Sequence, residues 1–146
     1  MEYGIVNVIH LICAAAFIGV VFFEVFILEG IRNKIGPALM PQVEEGIITR
    51  AKRIMPWVVA TLFVSGLVLA YFHYSKLPSP FANSFGILLA VKIALALSVL
   101  VHFVTAMRSA TNGCMSSERF EKTHLSVIIH MFFIVVLAKA MFYVHW

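Results

Sequence analysis

Apolar residues run along this chain in four long blocks separated by short polar stretches. The first block extends from about Tyr3 to Leu28 and the second from about Met55 to Tyr74. The third extends from about Phe85 to Met107 and the fourth from about His124 to Val144. Each holds roughly 20 or more residues, enough at ~1.5 Å per helical residue to cross ~30 Å of hydrocarbon. Four spans are too few and too long for a barrel, so the pattern predicts an all-α integral membrane protein, a single four-transmembrane-helix bundle over residues 1–146. The first block is far longer than a signal-peptide core and lacks a basic leader, so it is expected to stay in the membrane.

Composition agrees. Of 146 residues, 62% are hydrophobic and 12% charged, more apolar surface than a soluble domain of this size can bury.

The polar stretches carry an orientation. Arg32, Lys34, Arg50, Lys52 and Arg53 lie between the first two spans, and Arg108, Arg119 and Lys122 between the last two. The middle connection holds only Lys76. The positive-inside rule therefore predicts both basic loops in the cytoplasm and both termini outside. Tyr3, Tyr71, Tyr74, Tyr143 and Trp146 would form an outer aromatic belt, with Trp57 at the inner face. Gly36-Pro37 and Pro41 are expected to break the chain after span one. Val43 to Ile54 reads as an interfacial helix leading into span two, with Pro56 at the entry. The net charge of +4 thus reflects topology, and no nucleic-acid partner is expected.

Candidate chemistry lies at membrane depth, where ionisable residues are costly and functional by default. Cys13 and Cys114 form no CxxC or CxxCH motif, which excludes covalent haem attachment, and aspartate is absent. Counting along the spans groups His10 with His73 in the outer half, and His102 with His130 in the inner half. Neutral imidazole binds haem iron, copper or zinc, and facing bundle helices can present two imidazoles to one cofactor. Each pair is therefore a candidate bis-histidine site for a b-type haem. His124 and His145 lie at the ends of span four, where interfacial hydrogen bonding is the simpler reading. Lys139 is placed to snorkel outward, whereas Lys92 lies several residues inside the outer boundary. His10, Cys13, Phe17, Val21 and Glu24 share one helical face, with Ala14 and Gly19 as small residues for close approach. Methionines raise copper transport as an alternative, but only Cys114-Met115 is a local pair.

Several short motifs resemble the HemJ-type membrane protoporphyrinogen oxidases and their CopD-like relatives. They are Ile9-His10-Leu11 with Phe17-Ile18-Gly19, Arg53-Ile54-Met55-Pro56 with Ser65-Gly66-Leu67, and Val91-Lys92-Ile93 with His102. Ser117-Glu118-Arg119-Phe120 and Lys139 add to the likeness, which covers nearly the whole chain. The resemblance implies a four-helix membrane protein binding b-type haem, with His10 as ligand and Lys92 as a catalytic residue. The chain departs from the oxidases at Leu28-Glu29, Leu88, Ala90 and Leu125-Ser126, and it adds His73 and His130. Those differences favour a dihaem electron carrier, ligated by His10, His73, His102 and His130, over porphyrinogen oxidation, with a CopD-like copper carrier as the further alternative. The expected partners are the lipid bilayer, haem b, a quinone or a porphyrinogen, with a second copy of the chain left open. The expected location is the cytoplasmic membrane of a bacterium.

Overall fold

The computed structural model describes residues 2–75, 83–112 and 117–144, and it is a four-helix membrane bundle. Expectations for Lys76, Cys114, Met115, His145 and Trp146, and for the side chains of 117–120, lie outside the described residues. The four apolar helices long enough to cross a bilayer are Glu2–Ile35, Met40–Tyr74, Ser84–Thr111 and Glu121–Ala140.

The first of these is a composite. Helix α1 (Glu2–Phe22) passes without interruption into a π-helical stretch, Phe23–Leu28, and then α2 (Glu29–Ile35). In the π stretch the Glu29 N–H donates to the Glu24 carbonyl five residues back, widening the turn that carries Glu24. Gly36, at φ +81°, ends α2 in a backbone conformation that disfavours any residue with a Cβ.

Helix α3 (Met40–Tyr74) runs for 35 residues, with Pro41 in its first turn and Pro56 in its interior. The expected interfacial segment and span two are therefore one continuous helix. Polar residues from Val43 onward make its first turns resemble a separate element in sequence. Pro56 removes one backbone donor but does not end the helix. Helix α4 (Ser84–Thr111) starts at an Asn83 cap, whose side chain accepts the Gly86 N–H at 2.8 Å. Helix α5 (Ser117–Ala140) completes the bundle.

Packing is pairwise. α1 lies chiefly along α3 and α4 along α5, while fewer contacts join the two pairs. The seam between the pairs closes around Phe17, Val21, Met55, Val59, Val99, Val127 and Met131, drawn from all four helices. That core lies toward the end bearing the basic loops, here the basic end. On α1 the buried face runs through Phe17, Val21, Glu24 and Leu28, as the helical phase of Glu24 predicts. Gly19 is exposed and a Cβ there would meet nothing, so it makes no close helix approach.

Both termini share the other end, because Tyr3, His73, Phe85 and Phe142 meet there. Tyr71 and Tyr143 at this terminal end and Trp57 near the basic end are largely exposed. Most large apolar side chains of the spans are exposed too, as lipid-facing helices require. The chain is a multi-pass membrane protein.

Candidate functional site: intramembrane histidines

His10 projects from α1 onto α3. Its Nδ1 lies 3.0 Å from the Leu62 carbonyl and 3.1 Å from Ser65 Oγ. A carbonyl oxygen only accepts, so Nδ1 carries the proton and donates it. Ser65 directs its own hydroxyl to the Thr61 and Leu62 carbonyls, at 2.7 and 3.0 Å. Gly66 makes the seat for the ring: a Cβ there would stand 3.0 Å from His10 Cε1. A ring held at Nδ1 by a carbonyl has its Nε2 lone pair set for a metal, the arrangement that orients ligating histidines generally. Lys92 of α4 lies close enough for its charge to act on this ring. Half-buried Lys92 and half-buried His10 thus lie on helices of opposite pairs.

His73 stands elsewhere. Its Nε2 is 3.3 Å from the Tyr3 hydroxyl, and its ring lies among Tyr3, Phe85 and Phe142, with centroids at 5.8, 5.3 and 6.4 Å. Tyr3 is seven residues from His10, and Gly66 is seven from His73. At ~1.5 Å per residue the two imidazoles are offset by about 10 Å along the bundle. The expected outer pair is not formed in this structure.

His102 and His130 do meet, with ring centroids 5.6 Å apart. Each Nδ1 donates to the carbonyl one turn back on its own helix: His102 to Ser98 and His130 to Ser126, both at 2.8 Å. Each Nε2 then accepts from the serine of the other helix. Ser98 Oγ is 3.2 Å from His130 Nε2, and Ser126 Oγ is 3.3 Å from His102 Nε2. The antiparallel helices are cross-braced by a reciprocal quartet. Both Nε2 atoms, the ones that would bind iron, are committed to hydroxyls instead of facing one another across a vacant plane. The quartet follows from a motif that occurs twice, Ser98-Val99-x-x-His102 and Ser126-Val127-x-x-His130, a signal that the histidines considered alone do not show.

A further buried group lies at the basic end. Glu24, 5% exposed, accepts from His124 Nε2 at 2.8 Å. The pair lines a cavity of about 70 Å³ that also touches Phe17, Met55, Met107 and Lys52. Lys52 Nζ donates to the Ala110 carbonyl at 2.6 Å. Nearby, Arg32 joins Glu29 and Glu44 at 2.6 and 2.7 Å, tying α2 to the start of α3. Exposed Lys139 is consistent with snorkelling.

Comparison of the chain with family models, curated proteins and solved structures finds no match. Among the described residues, no three His, Cys, Asp or Glu side chains converge as a metal-ligand set. The donor set that the geometry does offer is a single oriented imidazole, His10, beside a cation, Lys92. The sequence singled out both. It did not single out Ser65 as their support, nor His124 as the partner of Glu24.

Proposed function

We propose that this chain is a b-type haem redox protein of the bacterial cytoplasmic membrane, with its termini on the outer side and one haem held by His10. The observation that carries the reading is the His10 Nδ1–Leu62 carbonyl bond, which sets the tautomer an axial ligand needs. The motif resemblance and the loop charges support it from the sequence. One haem is proposed rather than two, because serines occupy both Nε2 atoms of the inner pair. Haem bound at His10 would supply one-electron chemistry with a quinone or an external partner. The chain's own contribution is to orient the imidazole, seat it on Gly66 and hold the Lys92 cation beside it.

That cation favours a second reading. An ammonium at membrane depth recruits an anionic group, and a porphyrinogen carries carboxylates. Oxidation of protoporphyrinogen, the activity of the HemJ-type enzymes, would place Lys92 as the substrate-engaging residue.

The test is an oxidised and dithionite-reduced absorption spectrum of the purified protein. A low-spin b-type spectrum, extractable by acid acetone, is expected. His10→Ala should abolish it, while His102→Ala and His130→Ala keep it. A colourless preparation from haem-replete cells would refute the haem reading, and copper bound stoichiometrically instead would favour a copper carrier. Rescue of a strain lacking its own protoporphyrinogen oxidase, lost with Lys92→Ala, would make the enzyme reading primary.

A further inference from the structure

The Glu24–His124 pair has no part in the site at His10, and its setting is unusual for a static ion pair. Glu24 sits on the π-helical turn, among the described residues the one departure from α-helix inside a span, and such turns recur at functional positions. Its side chain is 4% exposed and that of His124 17%. Burying two charges costs several kcal/mol each before their attraction is counted, so stability alone is a weak reason for such a pair. Phe17, Val21, Met55, Phe103 and Met107 make the cavity wall beside the pair largely apolar.

The cavity beside the pair supplies what a working site needs. Its volume of about 70 Å³ is more than one water needs, with Glu24, His124 and Lys52 as polar partners. From the pair it extends to Lys52 of α3, whose ammonium is anchored on the Ala110 carbonyl near the end of α4. Among the described residues, the charged and titratable groups facing the cavity are Glu24, His124 and Lys52. α4 contributes only Phe103, Ala106, Met107 and Ala110.

We infer that Glu24 and His124 form a proton-exchange site, connected by a short water-filled path to the aqueous phase at the basic end. At 2.8 Å the two groups are close enough to share a proton. With one proton the pair is carboxylate and imidazolium, net neutral. A proton taken from hydronium or buffer converts the carboxylate to the acid and leaves a net charge of +1. Loss of the shared proton to water leaves carboxylate and neutral imidazole, net −1. Fixed in the cavity wall, Lys52 favours the anionic end of this range and keeps the path positive against other cations. A bundle that gains or loses an electron at membrane depth could balance that charge here, but the site does not depend on the haem reading.

The test is a pH-difference infrared spectrum of the full-length protein in lipid nanodiscs, taken between about pH 5 and 8. A carboxylic-acid C=O band should grow toward low pH, shift within seconds of transfer to D2O, and vanish in Glu24→Gln. His124→Asn removes the partner that donates to Glu24, so the pH dependence of the band should differ from that of the unmutated chain. The ring ¹⁵N shifts of His124 in the unmutated chain report the same titration without a substitution. No band assignable to Glu24, a band that survives Glu24→Gln, or invariant His124 shifts over that range would each overturn the proposal. Because nothing here is read from haem absorbance, a colourless preparation would sink the haem reading and leave this one standing.

Discussion

The Ser–His quartet makes a quantitative prediction about how the last two helices hold together. Ser98→Ala removes the hydroxyl that donates to His130 Nε2 at 3.2 Å, and it leaves the Ser98 carbonyl in place for His102. An interhelical side-chain hydrogen bond in a membrane bundle is worth ~0.6 kcal/mol on average and up to ~1.7. The contact is at the long end of the usual range, so a coupling of ~0.5–1 kcal/mol between Ser98 and His130 is expected. Ser126 and His102, at 3.3 Å, should couple equally. The pair Ser98 and His102 is the control, because that link runs through the backbone carbonyl. Replacing both side chains should therefore give a smaller coupling than Ser98 with His130. Double-mutant cycles on reversible unfolding in mixed micelles measure all three. If Ser98/His130 adds as independently as the control, the cross-brace contributes nothing, and the histidines regain their standing as candidate ligands.

Two other outcomes follow. Gly66→Ala places a Cβ 3.0 Å from His10 Cε1, so the ring must give by a few tenths of an ångström against its bond to the Leu62 carbonyl. It should cost about 1–3 kcal/mol in thermal or denaturant stability and lower haem content with it, whereas Gly19→Ala should leave haem content unchanged. Loop charge places Cys114 in the cytoplasm, so an impermeant thiol reagent should miss it in intact cells and label it after lysis; labelling from outside would invert the orientation.

The four spans were legible because lipid demands long apolar helices and the four apolar runs supply them. The buried face of α1 was legible too, since Phe17, Val21 and Glu24 follow helical spacing. What could not be read was which side chain stands opposite which. Depth counted from the end of an apolar run carries an error of a turn or more, since α3 begins at Met40 and not at the apolar boundary near Met55. Two turns were enough to separate His10 from His73. Apolar residues around nearly the whole circumference also hide which helices are neighbours, so the serine partners of His102 and His130 had no signal beyond the repeated Ser-Val-x-x-His. The π-helical turn at Glu24 leaves no mark in the hydrophobic pattern. Nothing in its residues gives a physical account of why it forms there.

The pairwise packing has a consequence for how the chain is made. Each tight pair consists of spans adjacent in sequence, so each can close as soon as its second member leaves the ribosome. Early assembly then needs only local search, the condition under which helical proteins form quickly. The seam between the pairs closes last. Until it does, Glu24 is without His124 of α5, and Lys92 is without the helix that carries His10. The residues that make the seam useful in the finished protein are also those that make its unfinished halves unstable apart.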